Sequence, residues 1–135
     1  MTMRKLQILN KSLMDETSAK AKTSPRLRMN YNFHPELSDK VQRFINAMES
    51  GTIVDIHHHQ VDEMIIVLRG SVKALLYDDD KNVIDECVLN PATGVYGVQL
   101  PASVWHTVEC LEPDTILFEI KEGPFISHED SGILK

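Results

Sequence analysis

The chain has 135 residues, 42% of them apolar and 25% charged, and carries a net charge of −6 at neutral pH. That is enough for one domain with one modest core, and too little for a second domain to pack by itself. The acidic balance argues against nucleic acid bound on a broad basic surface, and no apolar run approaches membrane-spanning length. The N-terminus lacks the apolar segment and small-residue cleavage site of a secretory signal. Cys87 and Cys110 form no CxxC pair and no disulfide framework. They read as small buried apolar residues in a reducing cytoplasm.

Residues 1–25 stand apart as an N-terminal arm or short helix, with a helical stretch near Asn10 to Ala21 capped by Asn10 and closed by Pro25. From Leu27 to Phe33 the period is two: Leu27, Met29, Tyr31 and Phe33 share one face, and Arg26, Arg28, Asn30, Asn32 and His34 the other. Within residues 38–50, Ser38 to Glu49 reads as a helix. Ser38 is its cap, Val41, Phe44, Ile45 and Met48 form a stripe at helical spacing, and Gly51 is the stop. Everything after Gly51 reads as strand and turn. The strands are Ile53–His59, Met64–Leu68, Val72–Tyr77, Val83–Leu89, Val95–Leu100, Trp105–Leu111 and Thr115–Lys121, broken by glycine, proline and aspartate clusters. Short strands at this spacing predict an all-β domain over 26–125, a sandwich or barrel with a minor N-terminal helical part. A short polar tail over 126–135 follows, in which His128 has no partner in sequence.

The chemistry concentrates at His57, His58, His59 and Glu63. On a strand, residues i and i+2 project together, so His57 and His59 share a face and His58 points away. A turn at Gln60 to Asp62 brings Glu63 back beside the pair. Two imidazoles and a carboxylate converging in this way are ligands for a divalent transition metal.

The run Gly51, His57, His59, Glu63, Gly70 fits G-x5-H-x-H-x3-E-x6-G at every specified position. It resembles the first signature of the cupin superfamily, whose members are jelly-roll, double-stranded β-helix barrels. Pro101 to His106 resembles the centre of the second signature. There Ser103 stands in place of glycine, Cys110 in place of asparagine, and the leading glycine is out of register. The resemblance implies that His57, His59, Glu63 and His106 are metal ligands. The segments SPRLRMNYNFH (24–34), VQRF (41–44), VLRG (67–70), PASVWHT (101–107) and FEIKEGPF (118–125) further resemble the WbuC family of cupin-fold metalloproteins. That family is associated with bacterial surface-polysaccharide (O-antigen) gene clusters. This likeness covers the chain from about residue 24 and carries the carbohydrate connection.

The donor face Arg26, Arg28, Asn30, Asn32 lends itself to an anionic or hydroxyl-rich small molecule, because guanidinium groups match carboxylate or phosphate and asparagines match sugar hydroxyls. His34 is the acid/base candidate. Trp105 reads as packing. The strand phase leaves Tyr77, Tyr96 and Gln99 open, and Glu119 and Lys121 read as solvated charges. Three functional readings follow. One is an isomerase or epimerase acting on a keto-sugar or sugar phosphate. The second is an Fe(II)-dependent oxygenase, and the third a non-catalytic binding module. Zn, Fe, Ni and Mn all suit the ligand set. No nucleic acid and no membrane partner is expected, and jelly rolls of this type lead to the expectation of a homodimer.

Overall fold

The computed structural model describes residues 5–126 and 132–134; His128 lies outside them. Among the described residues, helix α1 (Lys11–Thr23) precedes strands β1 (Arg28–Asn32), β2 (Val41–Met48), β3 (Glu63–Arg69), β4 (Val72–Tyr77), β5 (Val83–Leu89), β6 (Gly97–Leu100), β7 (Trp105–Cys110) and β8 (Thr115–Glu122). A 3-10 turn at Pro91–Thr93 joins β5 to β6. The strands form two antiparallel sheets, one in the order β1-β2-β8-β3-β6 and one in the order β5-β4-β7. Their inner faces meet in one core, where Met48, Val67 and Leu117 of the larger sheet pack with Val72, Leu89 and Val108 of the smaller. No helix among the described residues is long and apolar enough to cross a membrane.

Helix α1 begins where Asn10 accepts the N–H of Leu13 through its side chain, satisfying one of the free amides of the first turn. The helix lies on the outer face of the larger sheet. Ala21 packs there with Ile45, Ala47 and Ile116, flanked by Met29, Phe33 and Phe118. Ile45 and Ile116 are fully buried, each contributing about 1.5–3 kcal/mol relative to exposure. Ser18 donates to Asp114, Asp15 pairs with Arg69, and Lys22 bridges Glu49 and Asp114, so polar links hold the helix at its margins.

This cover explains the main departure from the sequence reading. Residues 38–50 contain no helix; Val41–Met48 is β2, paired with β1 and β8. One face of the strand, Gln42, Phe44, Asn46 and Met48, looks between the sheets. The other, through Ile45 and Ala47, sits under α1. Apolar residues drawn from both faces fall at Phe44, Ile45 and Met48, which is the spacing of a helical stripe. A strand buried on both sides loses its two-residue signature.

The second departure concerns Ile53 to His59, which is extended but is not a full strand. It touches β7 through one bridge, with His57 N–H donating to His106 O at 3.0 Å and His106 N–H to His57 O at 2.8 Å. The chain's end returns to the other edge of the same segment: Leu134 N–H donates to Ile56 O at 2.8 Å, and Ile133 pairs with His57. Cys87 and Cys110 are half-buried rather than buried. Cys110 Sγ lies 3.0 Å from Glu112 O.

Gly70, between β3 and β4, has φ +82°, and a Cβ there would come within 2.8 Å of Thr115 Cα. The turn therefore needs glycine for both its backbone angle and its closeness to β8. Gly70→Ala is expected to cost about 2 kcal/mol or more through strain and overpacking. That corresponds to a fall of roughly 5–10 °C in Tm, to be read by thermal denaturation.

Candidate metal centre and cavity

Between the sheets, beyond the apolar core, lies a cavity of about 590 Å³, within the range of small-molecule sites. Its walls follow from strand phase. On β8, Leu117 belongs to the core, while Glu119 and Lys121, two and four residues further along the same face, line the cavity. On β2 the inner face runs from Met48 through Asn46 to Gln42. Polarity therefore changes along each strand, apolar at one end of the sandwich and hydrogen-bonding at the other.

Three buried imidazoles converge on this space. One ring nitrogen from each of His57, His59 and His106 lies within 4.8 Å of the others, and the ring centroids are 4.4 Å (His57–His106), 5.0 Å (His57–His59) and 5.5 Å (His59–His106) apart. Nδ1 of His57 lies 2.7 Å from Asp55 O and Nδ1 of His106 lies 3.3 Å from Val104 O. A hydrogen on each Nδ1, donated to these carbonyls, leaves Nε2 as the lone-pair end. Burial is the first cause that pushes His59 and His106 down to about 4, with Lys121 acting next on His59 and His59 on His106. Both rings are therefore neutral at pH 7, the form that ligates metals.

Glu63 is buried beside the trio but is not one of its three members. Its Oε2 lies 3.1 Å from His59 Nε2, yet receives no conventional hydrogen-bond donor. An imidazole nitrogen and a carboxylate oxygen this close are both ligand types for one divalent cation. On its other side Glu63 reaches Glu119, with which it shares a hydrogen bond. Against the expectation of a solvated charge, Glu119 is 8% exposed, accepts from Asn46 Nδ2 at 3.1 Å, and lines the cavity. Burial and then the Glu63 charge hold its carboxyl well above the usual carboxylate range. Lys121, also read as solvated, is half-buried on the same wall. The signal for both was their shared phase opposite Phe118 and Ile120. It points inward once α1 is known to cover the Phe118 side.

Arg26, Arg28, Asn30, Asn32 and His34 all line the cavity, brought there by β1 pairing with β2 in a register that sets Asn30 opposite Asn46. His34 is buried, and its Nδ1 lies 3.0 Å from Arg43 N and 3.1 Å from Arg43 O. The Arg43 N–H is always a donor, so Nδ1 accepts it and the ring hydrogen sits on Nε2. In that form Nε2 offers a donor toward the cavity. His58 turns away from the trio and packs on Trp105 at 4.4 Å between centroids, and Trp105 Nε1 donates to Asp79. Tyr77, Tyr96 and Gln99 are not on the cavity wall.

The loop before β7 explains the serine at position 103. Ser103 has φ 64°, a left-handed conformation that glycine adopts most readily, and its N–H donates to His59 O at 2.7 Å. Serine at the glycine position thus keeps the loop that ties His59 to the strand bearing His106.

Residues 9–89 match the family described as Domain of unknown function (DUF6016). The chain belongs to this family. No curated protein matches it by sequence. Among solved structures, KdgF from Halomonas sp. is similar at a TM-score of 0.59 and 16% identity, covering 77% of this chain and 85% of that one. CapF, bound to the inhibitor 3-isopropenyl-tropolone, is similar at 0.64 and 18%, covering 84% and 33%. Bacillus subtilis oxalate decarboxylase is similar at 0.60 and 14%, covering 79% and 28%, and that protein has Mn(II) centers. The chain thus spans about a third or less of the last two. The architecture of this DUF6016 member is a single-domain cupin jelly roll.

The displaced histidines give stability a pH dependence in metal-free protein. Their folded-state values lie near 4, below the ordinary histidine value of 6.5, so the unfolded chain binds more protons between these limits. Their contribution is full above about pH 6.5 and is lost as pH falls through 4. Glu119, raised in the folded state, acts in the opposite sense, so the measurement is made in Glu119→Gln. Chelator-treated Glu119→Gln is expected to lose about 2 kcal/mol or more of stability between pH 6.5 and 4.5, by urea denaturation. The additional change His106→Gln removes about half of that loss. A flat profile contradicts the burial of the rings.

Proposed function

We propose that the chain is a metal-dependent cupin that binds a small molecule in its barrel and acts on it as an isomerase or epimerase, with a keto-sugar or sugar phosphate as substrate. The observation that carries the metal half is the convergence of three buried imidazoles, two with Nδ1 directed at backbone carbonyls. His57, His59 and His106 would hold the cation with Glu63 beside them, and the Mn(II) centers of the structurally similar oxalate decarboxylase add weight to a divalent ion of the Mn, Fe, Ni or Zn group. When bound, such an ion polarises a carbonyl or holds vicinal oxygens of a substrate. The WbuC-like segments support the link to surface-polysaccharide chemistry. Free thiols at Cys87 and Cys110 fit a cytoplasmic protein, and a homodimer paired through sheet edges is part of the same reading.

The chain's own residues supply the rest. His34 donates from Nε2 to a substrate oxygen, and the carboxyl groups of Glu63 and Glu119 are the proton-handling groups on the wall. The apolar end of the sandwich, with Ile65 and Val108 at the cavity boundary, limits water around the reacting carbon.

Elemental analysis of purified protein is expected to show about one divalent transition metal per chain, lost in His106→Ala. Solvent deuterium should enter a bound keto-sugar phosphate at the carbon next to the carbonyl. His34→Ala is expected to keep the metal and lose on the order of a hundredfold in this exchange, as removal of a positioned donor does. Iron with oxygen consumption would turn the reading to an oxygenase. Binding without exchange would turn it to a sensor or carrier.

A further inference from the structure

The cavity wall formed by β1, β2 and the residues between them holds hydrogen-bonding capacity that the protein itself does not use. Arg28 Nε, His34 Nε2 and Asn46 Oδ1 are each buried without a hydrogen-bond partner among the described residues, and all three residues line the same cavity. Leaving such groups unsatisfied costs stability, so the wall is shaped for an occupant. Their chemistry specifies it. The guanidinium Nε is a donor, His34 Nε2 carries the ring hydrogen because Nδ1 accepts from Arg43, and Asn46 Oδ1 is an acceptor whose amide nitrogen is already given to Glu119.

Charge narrows the choice further. Arg26, Arg28 and Lys121 line the cavity, and none of them makes an ion pair among the described residues. Asp55 and Glu119 are the acidic groups that act on Arg28, and neither is within ion-pairing distance of it. Water could fill the hydrogen bonds, but it leaves Arg26, Arg28 and Lys121 on the wall with no carboxylate of the described residues in ion-pairing contact, a place that an anion's oxygens can take.

We propose that this wall is a specificity subsite for a hydroxylated anion. A carboxylate or phosphate sits against Arg28 with Arg26 and Lys121, one of its oxygens or a neighbouring one accepts from His34, and a hydroxyl donates to Asn46. The other end of the same molecule reaches the imidazole trio; that part rests on the metal-centre reading, whereas the anion subsite does not.

Isothermal titration of metal-loaded protein with two matched pairs tests it. Ribose 5-phosphate is compared with ribose, and malate with lactate. Both members of each pair carry hydroxyls, and only one has the distal anion. At least a tenfold preference for the anionic member is expected in one pair or both; a preference confined to one pair assigns phosphate or carboxylate. In the double variant Arg26→Gln, Arg28→Gln the preference should fall below threefold at unchanged metal content. Raising NaCl from about 50 to 500 mM should erode it in the wild-type chain, where folding is not in question. Equal or undetectable binding of both members in both pairs overturns the proposal. So does a preference that survives the double variant or ignores salt. Metal content measured on the same samples separates this outcome from failure of the metal centre. A chain without metal that still prefers the anionic members keeps the subsite and loses the metal end.

Discussion

Two hydrogen bonds between two histidines organise this molecule. His57 and His106 exchange backbone N–H and C=O groups reciprocally, the narrow arrangement in which directly opposed antiparallel residues present their side chains on one face. The two-residue repeat of extended chain then adds His59 to the same side, and Ser103 N–H fixes His59 from the β7 loop. No long strand is needed. A single bridge, held by amides that donate whatever the pH, sets three imidazoles from two distant parts of the sequence around one point. Removing that bridge would part the segment bearing His57 and His59 from the strand bearing His106 at the very point where their rings meet.

The bridge is effective because of where the sandwich places it. Inner-face residues of β2, β3, β7 and β8 are apolar toward one end and polar toward the other: Met48 gives way to Asn46 and Gln42, Ile65 to Glu63, Val108 to His106, Leu117 to Glu119 and Lys121. The apolar end supplies the burial that stabilises the domain. The same burial keeps the His59 and His106 rings neutral and holds the Glu119 carboxyl high. Core and site are two halves of one inner surface, so a stabilising change near Ile65 or Val108 also alters the dielectric around the imidazoles.

What could be read from sequence divides along the same lines. The alternation from Arg26 to His34 was legible because β1 is an edge strand, half covered by α1 and half facing a polar cavity, and a strand between unlike environments keeps its period of two. The histidine pattern was legible because its spacing is local and its glycines mark turns. β2 was misread because helix α1 on one side and the cavity on the other make both faces apolar in part, which sums to a helical stripe. Glu119 was misread for the complementary reason. A charge alternating with Phe118 and Ile120 looks solvated unless one knows which side of β8 carries a helix. That knowledge depends on residues 11–23, about a hundred positions earlier in the chain. Local pattern thus identified elements whose two faces differ and failed where a distant segment determines what a face meets.

The chain's end adds a last constraint. Gly132–Leu134 returns to pair with the His57 segment on the edge away from β7, and Ile133 reaches the cavity wall. The histidine segment is thereby held from both edges: His106 fixes its position on one side, and Leu134, through Ile56, on the other. A segment with one bridge to its sheet would slip easily in register, and a slip of one residue would exchange His58 for His57 at the site. His58 packed on Trp105, with Gly132 against both rings, opposes that slip as well. The backbone pair, the stacked outer ring and the returning terminus all act on one variable, the register of residues 55–59, and that register decides which imidazoles face the cavity.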